Sequence, residues 1–200
     1  MNHHRQLAAR IAAGDREAFA TFLDGFGPCV ARLARRYARD EADTEDLTQE
    51  IFLDLYRCMS SFRGESQLST WVYRLALNHC LRHREKWRGS TESYDEDLHE
   101  SPDKSADPAQ QAARRELSGQ VHQALDGLNE LHRTVVVLHE LHGLTYKECA
   151  TILDVPVGTV KSRLSNAFRT LRGSLGLYVL GEETLEQNVP AHCAAVGDPS

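Results

Sequence analysis

The 200-residue chain is 41% hydrophobic and 26% charged. That is enough apolar material for one ordinary domain or two small ones, and it excludes a wholly disordered chain. The formal net charge of −6 argues against nucleic-acid binding only until it is divided by segment: residues 1–88 carry 14 Lys/Arg against 12 Asp/Glu, 89–110 one Lys against seven acids, 111–176 eight basic residues against six acids, and 177–200 four acids and no base.

The opening residues, MNHHRQLAAR, contain no apolar signal segment. Residues 5–88 read as a helical domain. Leu7, Ile11, Ala18, Phe19, Phe22 and Leu23 recur at helical spacing, followed by Val30, Leu33, Ala34 and Tyr37. A third set holds Leu47, Ile51, Phe52 and Leu55, and a fourth Trp71, Val72, Leu75, Ala76 and Leu81. The polar stretch Phe62–Ser69 separates the last two as a connecting loop. Trp71, in an apolar row, reads as a core residue.

Residues 89–110 read as a flexible acidic linker: seven acids, two prolines and one large aliphatic residue cannot build a core. Fully extended, the segment would reach about 70 Å. Residues 111–176 read as a second, smaller helical domain, with helices near 112–126 and 130–141. Thr145 with Glu148 three residues on is a capping-box signature, opening a helix that runs to about Leu153. Asp154 marks a tight turn, and a last helix begins near Pro156. The expected fold is all-α: two small helical domains, a linker between them and an acidic tail at 177–200.

On the last helix, Val160, Leu164, Ala167, Phe168 and Leu171 form an apolar back. The front is small and polar, and residues 156–176 hold four basic residues and no acid. Together with the preceding capped helix, small Ala150 and the short turn, this is the pattern of a helix-turn-helix whose second helix enters a major groove. An ordinary solvated helix face is the competing account of the charges alone.

These residues carry a recognisable resemblance. LTYKECATILDVPVGTVKSRLSNAFRTLR closely resembles region 4 of extracytoplasmic-function sigma factors of the sigma-70 family, with GTVKSRL (158–164) the most specific part. DTEDLTQEIFLDLYR (43–57) followed by FRGESQLSTWVYRLALN (62–78) resembles their region 2. The match spans about residues 10–175. It implies a non-enzymatic subunit that docks on the β′ and β subunits of bacterial core RNA polymerase and directs it to promoter DNA. Region 2 would meet the polymerase and the −10 element, and region 4 the −35 element. An anti-sigma protein commonly restrains such chains.

Carried onto this sequence, the docking set is Asp43, Asp46, Leu47, Gln49, Glu50 and Phe52, with Leu47 and Phe52 anchoring the helix. Between Asp40 and Asp54 there are seven acids and no base, which suits a basic protein surface rather than DNA. The −10 set is Phe62, Arg63, Ser66, Arg74, Asn78 and Arg82, within a basic stretch that includes Arg84, Lys86 and Arg88. There an unstacked base would be captured and the backbone followed. Arg32, Arg35, Arg36 and Arg39 make a second basic stripe. The −35 set is Lys147, Gly158, Thr159, Lys161, Ser162, Arg163, Ser165, Asn166 and Arg169. Lys161, Ser162, Ser165 and Asn166 would read bases, Thr159, Arg163, Arg169 and Lys147 suit phosphates, and Gly158 lies on the small-polar front. Two departures from the family pattern stand out: Asp154 occupies a turn position where Gly is common, and Ser165-Asn166 lacks a second basic residue.

The five cysteines, at 29, 58, 80, 149 and 193, are odd in number and widely spaced, as in a reduced cytoplasmic protein. The longest aliphatic run, Val135–Leu138, is far short of a membrane span, so no membrane insertion is expected. Neither is a metal or cofactor. His139-Glu140-Leu141-His142 spaces its histidines at i and i+3, not the i and i+4 of a zinc protease helix. His79 and His83 have that spacing but no evident general base. His192-Cys193 supplies too few ligands for a structural zinc site. The nearest rival is a stand-alone helix-turn-helix regulator, which would not need the acidic 40–54 segment.

Overall fold

The computed structural model describes residues 3–87, 119–121 and 123–175. The expected linker (89–110) and tail (177–200) lie outside the described residues, as does the first part of the expected 112–126 helix. Every regular element among the described residues is helical, and the chain divides into two compact units.

The first unit is built from α1 (His3–Ala12), α2 (Arg16–Arg35), α3 (Glu41–Cys58) and α4 (Leu68–Trp87). Gly14, at φ +85, turns the chain between α1 and α2. Asp15 then caps α2 by accepting the Glu17 and Ala18 N–H groups. Those bonds and the Arg10 guanidinium hold its carboxyl below the ordinary value. The apolar sets on either side of Pro28 belong to one helix, α2, with Pro28 in its interior. Pro28 is exposed, on the side of the helix where a missing N–H donor costs least. A 3₁₀ turn, Met59–Ser61, ends α3.

Ile11, Phe22, Leu33, Leu47, Ile51, Leu55, Met59, Leu68, Val72 and Ala76 meet as the core. The loop is shorter than the sequence suggests. Leu68 and Ser69 already belong to α4, because Leu68 is fully buried and anchors that helix.

In the second unit, helical residues 123–126 precede α5 (Glu130–Val136), capped by Asn129. The expected 130–141 helix changes pitch part-way: Val137–Leu141 is a π-helical turn, closed by the His142 N–H on the Val137 carbonyl at 3.1 Å. Then come α6 (Tyr146–Leu153) and α7 (Val157–Leu175). Arg133, almost fully buried, ties α5 to the preceding turn through the Leu125 carbonyl (2.8 Å) and Asp126 (3.0 Å).

Candidate docking and nucleic-acid surfaces

α3 begins with a reciprocal cap. Asp40 accepts the Asp43 N–H at 2.7 Å, while the Asp43 carboxylate reaches back to the Arg39 N–H at 2.8 Å. The same oxygen lies 2.9 Å from His83 Nε2 on α4 and 3.5 Å from Arg39 Nε. Asp43 is only 8% exposed. Burial pushes its carboxyl up, but the Arg39 N–H, His83 and the Arg39 side chain together outweigh burial and hold it below 3.8. This corrects its place in the docking set: Asp43 is turned inward, in line with Thr44, Leu47, Ile51 and Leu55 on the buried row, and it fastens α3 to α4.

Of the remaining docking candidates, Asp46, Gln49 and Glu50 are exposed on the opposite side of α3, whereas Leu47 and Phe52 are buried beneath them. Sequence reading missed what lies beside that acidic face. Leu53 and Tyr56 are 55% and 43% exposed. With Phe19, Leu23, Phe52 and the Gly14–Arg16 turn they line an open apolar groove between α2 and α3 that Thr48 and Gln49 border. Phe19 meets Tyr56 edge-on at 5.0 Å. Two large apolar residues at 53 and 56, off the buried row, were the available signal.

On α4, Arg74, Asn78 and Arg82 are all exposed. Their i, i+4, i+8 spacing lines them on one face. Arg84 does not join them, being buried. His79 and His83 are likewise turned to α3, His79 Nε2 lying 2.7 Å from Asp54. Arg63 is exposed in the loop before α4. Ser66 is half-buried there, its hydroxyl donating to the Gln67 carbonyl at 3.3 Å. Phe62 and Trp71 are both half-buried and pack ring to ring at 5.6 Å. Trp71 is thus a wall beside the loop rather than a core residue. Of the second basic stripe, Arg32 and Arg35 are exposed, while Arg39 is engaged with Asp43.

The second unit has the geometry of a helix-turn-helix. Thr145 caps α6: its Oγ1 accepts the Glu148 N–H, and the Glu148 carboxylate accepts the Thr145 N–H at 2.8 Å. Asp154 ends α6 in the left-handed conformation (φ 54, ψ 49), its N–H bonded to the Ala150 carbonyl. A short polar side chain tolerates that region better than most, which is how Asp serves where Gly is common. Val160, Leu164, Ala167 and Leu171 form the buried back of α7. Gly158, Ser162, Ser165 and Arg169 make an exposed stripe, with Lys161 exposed beside it and Thr159, Arg163 and Asn166 half-buried at its edges. Residues 157–175 hold no acid. Lys147 is exposed on the first turn of α6.

A helix-turn-helix with an acid-free outer helix, in one chain with a unit whose acidic and basic faces lie on different helices, narrows the family, and comparison with known proteins decides it. The sigma-70 region 2 family model matches residues 22–89, and the sigma-70 region 4 model matches 118–171. The chain is 33% identical over 171 residues to the RNA polymerase sigma-H factor of Pseudomonas aeruginosa, covering 82% of this chain and 89% of that protein. This chain belongs to the extracytoplasmic-function sigma factors. It is 34% identical over 169 residues to the sigma-E factor of Escherichia coli K12, covering 80% of this chain and 88% of that one. Among solved structures, CnrH in complex with the cytosolic domain of CnrY has a TM-score of 0.65 at 25% identity, over 87% of this chain and 97% of CnrH. Bartonella quintana RpoE, solved with the anti-sigma factor NepR, shares the fold with a TM-score of 0.62 at 22% identity, over 80% of this chain and 98% of that one. As a sigma factor the chain directs transcription initiation by RNA polymerase and performs no catalysis of its own. No helix among the described residues is long and apolar enough to cross a membrane.

Proposed function

We propose that this sigma factor divides its work among three surfaces. The exposed Asp46–Gln49–Glu50 face of α3, together with the adjoining groove of Phe19, Leu23, Leu53 and Tyr56, docks on the β′ subunit of core polymerase. The Arg74–Asn78–Arg82 stripe of α4 and the loop before it engage the opened −10 element, where Asn78 reads a base edge and the arginines follow the backbone. The outer face of α7 enters the major groove at the −35 element. Lys161, Ser162, Ser165 and Asn166 read bases there, and Thr159, Arg163, Arg169 and Lys147 meet phosphates. The work takes place in the cytoplasm, where polymerase and promoter are.

The observation that carries this reading is the segregation of charge within the first unit. From Glu41 to Glu50 the exposed face of α3 holds acids and no base, Arg57 entering only in the last turn, and an uninterrupted Arg–Asn–Arg stripe occupies α4. One surface repels DNA and suits a basic protein, and the other does the reverse. CnrH, which the chain resembles, was solved with the cytosolic domain of CnrY. We extend to this chain a protein restraint of the same general kind, an anti-sigma factor that competes for these surfaces.

Run-off transcription with purified core polymerase and host promoter templates tests the division. Asp46→Ala/Glu50→Ala should lower core binding and hence all transcripts. Arg74→Ala/Arg82→Ala should leave core binding intact and reduce promoter opening. Duplex binding by the protein alone, with no core binding and no initiation, would overturn the docking assignment.

A further inference from the structure

Three side chains from three elements of the second unit converge beside the outer face of α7. His139 comes from the π-helical turn, Tyr146 opens α6, and Lys161 lies in the first turns of α7. The Tyr146 ring is 4.5 Å from the His139 imidazole, with 30° between the planes. Lys161 Nζ stands 5.5 Å from the centroid of the same Tyr146 ring. His139 is itself fixed. Its Nδ1 lies 2.7 Å from the Leu144 carbonyl oxygen, which can only accept, so Nδ1 carries the proton and donates it. The imidazole is thereby pinned to the loop that leads into Tyr146.

Tyr146 does not hold the core together, since it remains 40% exposed. Its ring faces a cation instead. An ammonium within about 6 Å of an aromatic centroid is attracted by the negative face of the ring. Lysine otherwise carries a compact charge on a flexible stem and pairs with any phosphate it can reach. Held over a ring, it is withheld from the backbone and arrives at the groove with part of its rotamer freedom already spent.

We propose that Tyr146, backed by His139, is the positioning residue that gives Lys161 its base discrimination. The proposal rests on the assignment of α7 to the −35 element. A positioned ammonium donates to purine acceptors such as guanine O6 and N7. Released from the ring, the same lysine neutralises phosphate equally well on every sequence. Tyr146 therefore contributes to the ratio between right and wrong bases more than to overall affinity.

The test uses holoenzyme reconstituted with the full-length protein and promoter templates that differ one base at a time in the −35 element. Lys161→Ala first identifies the base position whose discrimination falls. At that position Tyr146→Leu should reduce discrimination roughly two- to five-fold, while Tyr146→Phe, which keeps the ring face, should retain it. In the Lys161→Ala background, Tyr146→Leu should cost nothing further there. A merely structural role would instead lower affinity for all templates alike, in both backgrounds, and that result would overturn the proposal. So would uniform weakening by Tyr146→Phe, which would place the hydroxyl on a phosphate. Wild-type discrimination by Tyr146→Leu, with Lys161→Ala still effective, would refute the positioning role and leave the −35 assignment standing. If Lys161→Ala changes discrimination at no position, the base-reading role of Lys161 falls and the proposal falls with it.

Discussion

Asp43→Asn isolates the charge of the α3–α4 clasp while keeping its shape. In the wild type one carboxylate oxygen serves the Arg39 N–H at 2.8 Å, His83 Nε2 at 2.9 Å and, more weakly, Arg39 Nε at 3.5 Å. Hydrogen bonds to charged groups contribute about 1.5–3 kcal/mol and neutral ones about 0.5–1.5. The amide oxygen of Asn, set in the place of that oxygen, can keep both short contacts but without the charge that strengthens them. The net loss for a site 8% exposed is therefore about 1–2 kcal/mol. Both tryptophans, Trp71 and Trp87, lie on α4, so tryptophan fluorescence during urea unfolding of the full-length protein reports on the unit that holds the clasp. The pH dependence follows from the lowered carboxyl of Asp43. Because the folded value lies below the unfolded one, the stabilisation is complete above pH 3.8 and disappears as pH falls through the folded value. The gap between wild type and Asp43→Asn should persist at pH 5 and close as pH drops below 3.8. An equal gap at pH 5 and pH 3, or none at either, would refute the argument.

Thr145→Ala removes one half of the α6 capping box and should cost about 1 kcal/mol, seen as an earlier thermal transition of the second unit by circular dichroism. Asp154→Gly should act in the opposite direction. It relieves the left-handed strain of about 1–2 kcal/mol and gives back part of that through the freer unfolded chain. The transition should rise by an amount worth less than about 1 kcal/mol, and a fall would show that the Asp154 side chain makes a contribution of its own.

The helices and their faces were legible because burial imposes a period. The back of α7 at Val160, Leu164, Ala167 and Leu171 and the capping box at Thr145 and Glu148 are local patterns that tertiary packing reinforces. The inward turn of Asp43 was legible in principle, since it stands one turn before Leu47 on the buried row, but motif resemblance drew it to the surface. Arg84 and Trp71 went astray for related reasons. Residue type suggested exposure for Arg84 and a place in an apolar row suggested burial for Trp71, whereas the packing around α4 decided both. Leu53 and Tyr56, off the buried row, signalled an exposed apolar patch, but the groove they form with Phe19 and Leu23 required knowing how α2 and α3 sit together. The same holds for Tyr146 and Lys161, 15 residues apart in sequence.

The π-helical turn at Val137–Leu141 has a consequence for how this chain can change length. A hydrogen bond from His142 back to Val137 encloses one residue more than an α-helical turn does. The surplus residue shifts everything after it by about 100° relative to an uninterrupted α-helix. Deleting one residue here would leave an ordinary α-helix that the backbone accepts readily, yet it would swing His139 or its replacement away from Tyr146. Conversely, an α-helical relative could gain the platform by a single-codon insertion. The turn is thus a point where one residue more or less alters the setting of the helix-turn-helix without any exchange of side chains within it.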